Sequence, residues 1–295
     1  MLPEIGCKIV SLFDKESDYE WLWQDPHRPV RVPIFGDAYD QYDISGIDEC
    51  FPNIGISPYP LQEGLSLLDH GEVWSVPWKV EYTTTSAVAT VIGRQLNFEL
   101  CRELRIEGRK IHFQYNLKNI GEDDLLYLWS AHPLFAIRGE MSLTINGHPR
   151  IHKEFGFSDR MAPNGDDGSQ GRFNEYLWPT VSNDNGNSYD ISKISLKIPL
   201  ADKIVVNTES IDSIKLRDET SGRELDLQFN STHIPFVGIC YNLGAWPPGE
   251  HSAKWVALEP TSAPTDRLDQ TDEKGFSKLL KPNEEDSWGF AFYVS

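Results

Sequence analysis

The sequence has few cysteines, and their placement argues against several kinds of site. The 295 residues include four cysteines, Cys7, Cys50, Cys101 and Cys240. They lie far apart and form no Cys-x-x-Cys pair, so the pattern predicts neither a zinc site nor a redox motif. A chain of this length buries about 75% of its unfolded surface and needs no disulfides to hold its core. Low cysteine content is typical of a reducing compartment.

Basic charge and long apolar runs are also scarce. The chain has 27 Lys and Arg against 45 Asp and Glu, a formal net charge of −18. Because such a field repels phosphate backbones and anionic lipid, we expect no nucleic-acid partner and no membrane partner. No apolar run approaches the roughly 20 residues that cross a bilayer. The first residues also lack the basic and apolar regions of a signal peptide, so we expect a cytoplasmic protein.

Helical periodicity is missing, whereas strand patterns are frequent. Residues 94–124 read as a hairpin that turns at Glu107-Gly108, and apolar and polar residues alternate over positions 111–118 of its second arm. Further predicted strands are Leu126–Trp129, Met141–Ile145, Ile194–Ile198, Ile204–Val206, Glu224–Phe229, Val237–Tyr241, Lys254–Leu258 and Ser287–Val294. Many short strands with turns between them indicate an all-β fold, an antiparallel sandwich or barrel.

The segments between these strands set the domain organisation. Two polar stretches, Met161–Gly171 and Leu268–Ser277, are predicted to be loops. Neither has the composition of a domain linker, and the sequence contains no internal repeat. Large all-β folds reach this length as one unit, so residues 1–295 are predicted to form a single domain.

Three stretches place an acid or base beside a residue that restricts the backbone. They are LLDHGEVWSVPW with His70, LYLWSAHPLFAI with His132, and VALEPTSAPTD with Glu259. A proline follows His132 and Glu259, and proline holds the preceding residue in an extended conformation, so we expect each to stand at the end of a strand. His70 precedes Gly71, where the chain can turn tightly. Taken singly, each has an ordinary explanation: a core histidine, a turn histidine or a strand-end carboxylate.

Taken together and in this order, the three stretches resemble the aldose 1-epimerase (galactose mutarotase) family. The residues that carry the resemblance are His70-Gly71, the segment from His132 to Phe135, Glu259-Pro260 and the C-terminal LLKPNEEDSWGFAFYV. The resemblance covers about residues 46–294. It implies a large antiparallel β-sandwich of the galactose mutarotase-like type, in agreement with the strand pattern.

The resemblance also implies roles for these residues. In mutarotation a base takes the proton of the C1 hydroxyl and an acid protonates the ring oxygen, so the ring opens and closes again on the other face. Glu259 would be the base and His132 the acid, with His70 holding the monosaccharide. No redox step occurs, so no cofactor and no metal are expected. The family's arginine before the His-Gly motif and its late sugar-binding Asp have no assigned counterparts here, which leaves the sugar unidentified.

Other side chains near these stretches are candidates for holding sugar. Aromatic rings pack against sugar C–H groups, and fixed polar groups bind hydroxyls. The predicted substrate-binding residues are His70, Asp48, Trp74, Trp129 and Trp246, and Trp78, Glu49 and Asn53 are further candidates. The tryptophans have a core explanation, and Asp48, Glu49 and Asn53 have a loop explanation.

Two alternatives stay open at the level of sequence. A hexose-phosphate 1-epimerase of the same fold needs a cationic rim, for which Arg94, Arg102, Arg105 and Arg109 on the hairpin are available. A non-catalytic carbohydrate-binding protein needs the aromatic residues but not His132 and Glu259 together. The oligomeric state is open as well.

Overall fold

The computed structural model describes residues 1–161, 175–247, 249 and 252–295. Its strands as far as the middle of the chain are β1 (Phe13–Asp14), β2 (Tyr19–Glu20), β3 (Ile47–Cys50), β4 (Ser57–Pro58), β5 (Ser66–Leu67), β6 (Lys79–Tyr82), β7 (Ser86–Ile92), β8 (Phe98–Glu107), β9 (Lys110–Asn119), β10 (Leu125–Tyr127), β11 (Ser130–Ala136), β12 (Met141–Ile145) and β13 (Arg150–Gly156). The later strands are β14 (Glu175–Leu177), β15 (Thr180–Ser182), β16 (Ser188–Asp190), β17 (Lys193–Ile194), β18 (Ala201–Asn207), β19 (Ser213–Asp218), β20 (Glu224–Phe229), β21 (Phe236–Leu243), β22 (Lys254–Thr261), β23 (Lys278–Leu280) and β24 (Glu285–Val294).

The predicted all-β fold is confirmed. Among the described residues, most strands belong to two nine-stranded antiparallel sheets. One has the order β16-β15-β14-β13-β18-β21-β22-β11-β3, and the other β17-β12-β19-β20-β24-β9-β8-β7-β6. The predicted hairpin is β8 and β9, which pair from Phe98 with Asn119 to Glu107 with Lys110. In β9 the apolar positions Phe113, Tyr115 and Leu117 are buried, as the period of two requires.

The core lies between the two sheets. Phe135 of β11 and Phe292 of β24 contact edge to face with ring centroids 5.5 Å apart, a preferred arrangement for aromatic pairs. A fully buried ion pair also joins the layers, because Arg102 of β8 places Nη1 2.7 Å from Oε1 of Glu49 in β3. Tyr115 donates to the same oxygen and Trp129 Nε1 donates to Oε2. The Glu49 carboxylate therefore accepts hydrogen bonds from the side chains of Arg102, Tyr115 and Trp129.

Several boundaries differ from the sequence prediction. Leu268–Ser277 was expected to be a loop, but Leu268–Glu273 is an α-helix, α1, with Leu268 and Thr271 buried. Of the predicted strand Ile194–Ile198, only Ile194 is in a strand, β17. The predicted loop Met161–Gly171 lies outside the described residues apart from Met161.

His132 and Glu259 do not stand at strand ends. β11 begins two residues before His132, and β22 continues through Pro260 to Thr261. Proline fits here because it adopts an extended conformation and the strand needs no hydrogen bond from that position. Two short 3-10 helices, Tyr39–Gln41 and Val73–Ser75, contact each other through Tyr39 and Trp74, whose rings lie edge to face with centroids 5.0 Å apart. No helix among the described residues has the length and apolar character that a membrane crossing requires.

Candidate functional site

The pairing of β11 with β22 brings His132 to Glu259. Ser130 pairs with Thr261 and Leu134 with Ala257, and this register sets His132 opposite Glu259. Directly opposed residues of an antiparallel pair share a face of the sheet. His132 Nε2 lies 3.5 Å from Oε1 of Glu259, and the Glu259 side chain is 1% exposed. Two groups that are 127 positions apart in the chain therefore form one acid–base pair.

A glycine on the next strand makes room for a counter-ion to Glu259. Gly238 of β21 pairs with Glu259, and a Cβ added there would lie 3.0 Å from Glu259 Oε2 and 3.2 Å from Lys203 Cε. In the absence of that atom, Lys203 of β18 reaches across and places Nζ 2.6 Å from Glu259 Oε2. The geometry is an ion pair in which both side chains are almost fully buried.

Asp266 binds the other side of the same ammonium. Lys203 Nζ donates to Asp266 Oδ1 over 2.7 Å. Burial lowers the pKa of Lys203, but the carboxylates of Asp266 and Glu259 outweigh it and raise this pKa well above its usual range. Behind them, the Asp266 backbone N–H donates to Glu154, whose pKa burial and the Asp266 charge raise to about 8. The cluster therefore holds a protonated Lys203 between the side chains of Glu259 and Asp266.

His70 lies next to His132 and is fixed by two contacts of its own. It has a φ of 57°, and Gly71 follows with a φ of 73°, at a point where a Cβ would lie 2.2 Å from the carbonyl oxygen of Phe51. This is the tight turn that the His-Gly pair predicted. His70 Nδ1 lies 2.8 Å from Asp69 Oδ1, and the ring stacks on Tyr39 with centroids 4.0 Å apart.

Asp69 is the group that holds this histidine. Burial raises the pKa of Asp69, but the His70 hydrogen bond and a backbone donor from Tyr39 outweigh it and lower the pKa overall. An ionised Asp69 favours the tautomer of His70 with the proton on Nδ1. Nε2 is then the remaining ring nitrogen for a ligand.

His132 is held in its neutral form. Burial, the nearby His70 and the Lys203 ammonium lower its pKa well below the usual range of histidine. The ring lies edge-on to His70 with centroids 5.4 Å apart. Nδ1 has no hydrogen-bond partner within the described part of the chain. A neutral imidazole carries one N–H donor and one acceptor, so it can both give and receive a proton.

These groups line one cavity of about 400 Å³. Its acidic lining residues are Asp40, Asp69, Glu259 and Asp266, and its basic ones are His70, His132 and Lys203. Its aromatic lining residues are Tyr39, Phe155, Phe157, Tyr241, Trp246 and Trp255. The volume is in the range of pockets that hold small organic ligands. Acid–base groups and aromatic rings in one cavity suit a molecule with both hydroxyl and C–H surfaces.

The other residues predicted from the sequence occupy different positions. Trp246 lines the cavity, whereas Trp74, Trp129 and Asp48 do not. Trp129 lies in the core, where its Nε1 donates a hydrogen bond to Glu49. Trp74 donates through Nε1 to the backbone carbonyl of Asp69. Asp48 pairs with His132 in register, but it binds Lys8 and accepts a hydrogen bond from the Tyr39 hydroxyl. Trp74 and Asp48 thus contact the residues that surround His70 rather than the cavity.

The sequence analysis missed three members of the site: Lys203, Asp266 and Tyr39. Lys203 had a signal, since it is a charged residue inside the apolar strand Ala201–Asn207 and is 3% exposed. A buried lysine requires a partner, which points to a functional pair. Asp266 lies in the VALEPTSAPTD stretch but carries no distinctive spacing. The described residues contain no group of three or more His, Cys, Asp and Glu placed to hold a metal ion.

Solved structures share this architecture. A galactose mutarotase-like protein from Lactobacillus casei ATCC 334 matches with a TM-score of 0.69 and 15% identity over 100% of this chain and 96% of its own. A galactose mutarotase related enzyme from Lactobacillus acidophilus matches with 0.68 and 16% identity, over 100% and 93%. A galactose mutarotase-like protein from Clostridium acetobutylicum matches with 0.62 and 14%, over 99% and 90%.

Sequence comparison, in contrast, does not identify a family for this chain. No protein-family model matches the chain, and a search of curated proteins gave no match. The structural likeness establishes the fold: this chain has the galactose mutarotase-like fold, as the resemblance predicted.

Proposed function

We propose that the chain is an isomerase that interconverts the α and β anomers of an aldose by ring opening, an aldose 1-epimerase. The observation that carries the proposal is the 3.5 Å approach of His132 Nε2 to Glu259 Oε1 inside the cavity. The hemiacetal hydroxyl and the ring oxygen are bonded to the same carbon, C1. An acid and a base that serve both oxygens must therefore lie close to each other, as these two groups do.

In this proposal Glu259 takes the proton of the C1 hydroxyl. The C1–O bond becomes a carbonyl while the bond from C1 to the ring oxygen breaks, and neutral His132 gives its Nδ1 proton to that oxygen. In the same step the proton on Glu259 passes to Nε2 of His132 across their 3.5 Å contact, so Glu259 is again a carboxylate and His132 stays neutral as its other tautomer. Rotation about C1–C2 followed by the reverse steps gives the other anomer. Acid–base groups placed in this way contribute about 10²–10⁴-fold in rate.

Lys203 and His70 support the same steps. Lys203 is held between Glu259 and Asp266, and its ammonium fixes the position of the Glu259 carboxylate. His70, fixed by Asp69 and Tyr39, lines the cavity next to His132. It is placed to hold a hydroxyl of the sugar. The four free cysteines and the acidic surface suit action on a neutral sugar in a reducing cytoplasm.

Phosphorylated sugars are poor substrates in this proposal. Among the described residues that line the cavity, Lys203 is the one Lys or Arg, and two carboxylates already neutralise it. Arg102 is buried on Glu49, and Arg105 and Arg109 are paired with acidic neighbours on the surface. A phosphate at the cavity would meet carboxylates and few donors.

NMR exchange spectroscopy of aldose anomers tests the proposal. The purified protein should accelerate exchange of at least one free aldose, and the 6-phosphate of that aldose should exchange more slowly. Faster exchange of the phosphate would favour the hexose-phosphate alternative. Sugar binding with no acceleration for any aldose would favour a carbohydrate-binding protein and would refute the enzyme.

A further inference from the structure

An exposed phenylalanine stands at the mouth of the candidate site. Phe157 follows β13 directly and is 75% exposed, and Phe155 at the end of that strand is 39% exposed. Both line the same cavity as Glu259 and His132. Their rings lie 6.1 Å apart, centroid to centroid. Leaving an aromatic side chain in water forgoes its burial energy, so an exposed pair beside a cavity marks a contact surface.

A β-bulge turns this segment toward the cavity. Pairing between β13 and β18 runs from Lys153 with Ile204 to Phe155 with Lys203, so one residue, Glu154, is left over. Bulges redirect the side chains that follow them. The shift sets Phe155 opposite Lys203, on the face of the sheet that carries the candidate base's counter-ion. Without the bulge, Glu154 would pair with Lys203 in place of Phe155.

The backbone around Phe157 is fixed although its ring is exposed. Phe157 N–H donates to the carbonyl of Ala201 over 2.8 Å. The fully buried Asp202 accepts hydrogen bonds from the Ser158 hydroxyl at 2.6 Å and from Arg160 at 2.8 and 3.0 Å. A ring held on an ordered backbone loses little freedom when a ligand packs on it, which favours binding.

We propose that Phe157 and Phe155, with Trp246 of the same cavity, form a second sugar subsite, and that the substrate is a reducing disaccharide or longer reducing saccharide. The inference rests on the proposed function and specifies its substrate class. The terminal sugar with the free hemiacetal lies against the His132–Glu259 pair, and the next ring packs its C–H face on Phe157.

The chemistry of the inner site limits how the second sugar is attached. C1 of the inner sugar must keep its free hydroxyl for the ring to open, so the link uses one of its other hydroxyls. The second unit is neutral, because Asp40, Asp69 and Asp266 line the cavity and repel an anionic group. A neutral sugar ring offers the flat C–H surface that an aromatic side chain recognises.

Binding and exchange measured side by side test this subsite. Glucose and galactose serve as monosaccharides, and maltose, lactose and melibiose as reducing disaccharides. Calorimetry gives Kd independently of catalysis, and NMR exchange gives KM and kcat. We expect at least one disaccharide to bind more tightly than its own reducing-end monosaccharide. Phe157→Ala should reduce that preference by about tenfold, and Phe157→Trp should retain it.

A matched control removes an exposed aromatic elsewhere. Tyr82 of β6 is 68% exposed on the edge strand of the other sheet, and Tyr82→Ala should leave the preference unchanged. Equal affinity of the wild-type protein for mono- and disaccharides, or an unaltered preference in Phe157→Ala, would overturn the subsite. If the preference depends on Phe157 but no sugar exchanges faster, the subsite stands and the epimerase proposal fails.

Discussion

The ammonium of Lys203 lies 2.6 Å from Oε2 of Glu259 inside the sheet, and the same ammonium binds Asp266. The carboxylate proposed as the base is therefore paired with a fixed cation. Exposed ion pairs contribute little to folding stability. In a buried pair, the loss of one partner leaves an unpaired buried charge, which destabilises the fold. The reaction proposed for the cavity depends on this ion pair. Several of the variants described below test it by altering the pair.

Lys203→Met should move the acid limb of the rate–pH profile to higher pH. Without the ammonium, the carboxylates of Glu259 and Asp266 face each other's charge and take up a proton more readily. Loss of an opposite charge at this range shifts such a limb by about 1–3 pH units. The measurement is kcat for anomer exchange from pH 5 to 9.

Lys203→Arg is the control, since it keeps the charge and should place the acid limb within about one pH unit of the wild type. A limb at the same pH in Lys203→Met would show that the ammonium does not govern the ionisation on which the rate depends.

Gly238→Ala should lower kcat while the protein stays folded. The added methyl group would lie 3.0 Å from Glu259 Oε2 and 3.2 Å from Lys203 Cε, so these side chains must shift by a few tenths of an ångström. Gly238 has no positive φ, so alanine fits its backbone. Displacing a catalytic group by an ångström costs up to about 100-fold in rate, and added methylenes cost about 1–3 kcal/mol of stability. A folded variant with wild-type kcat would contradict the assigned geometry.

His132 makes the protein less stable as the pH falls. Its pKa is lowered by burial and nearby cations in the folded state, so the unfolded chain binds the proton first, below about pH 6.5. Stability is then lost as the pH falls below that value, by at most about 1.4 kcal/mol per pH unit for this residue. Urea unfolding at pH 7.5 and 5.5 should show a smaller loss for His132→Gln than for the wild type.

His152 gives an independent comparison for that measurement. Burial lowers its pKa to about 4, so it acts in the same direction between about pH 6.5 and 4. His152→Gln should also flatten the pH dependence of the unfolding free energy. It should do so without altering anomer exchange, because His152 lies outside the cavity that holds His132. An equal pH dependence in all three proteins would contradict both assignments.

Glu49→Ala should destabilise the fold. The change leaves Arg102 buried between the sheets without its carboxylate, and such losses cost about 3–5 kcal/mol. Urea unfolding gives the value. The denaturant slope should stay unchanged, because the surface exposed on unfolding is the same. A loss of unfolding free energy below about 1 kcal/mol would mean that water or a rearranged neighbour provides a hydrogen-bond acceptor for Arg102.

The fold was predictable from local patterns, and its details were not. The alternation in residues 111–118 predicted the long hairpin because one face of each strand meets the core. The six-residue helix Leu268–Glu273 was missed, since it is too short to show a helical period and its N-cap Arg267 makes no side-chain cap. Ile194–Ile198 was apolar enough to predict a strand, yet only Ile194 finds a partner, on β12.

The site was predictable only at residues that are followed by a proline or a glycine. Proline after His132 and Glu259, and glycine after His70, restrict the chain locally and are visible in the sequence. The partnership of Lys203 with Glu259 depends on strand order and on the missing side chain of Gly238, which no local pattern encodes. The tryptophans Trp74 and Trp129 were expected to contact sugar, but large rings fill cores more often than they line pockets.

The most direct test of the account is anomer exchange by Glu259→Gln. Glutamine keeps the size and shape of the side chain but cannot take a proton from the C1 hydroxyl. Glu219→Gln, the same change in an exposed carboxylate near Arg217, is the matched control. We expect Glu259→Gln to lose about 10²–10⁴-fold in kcat while it still binds sugar and unfolds cooperatively. A folded Glu259→Gln protein that exchanges anomers at the wild-type rate would contradict the account.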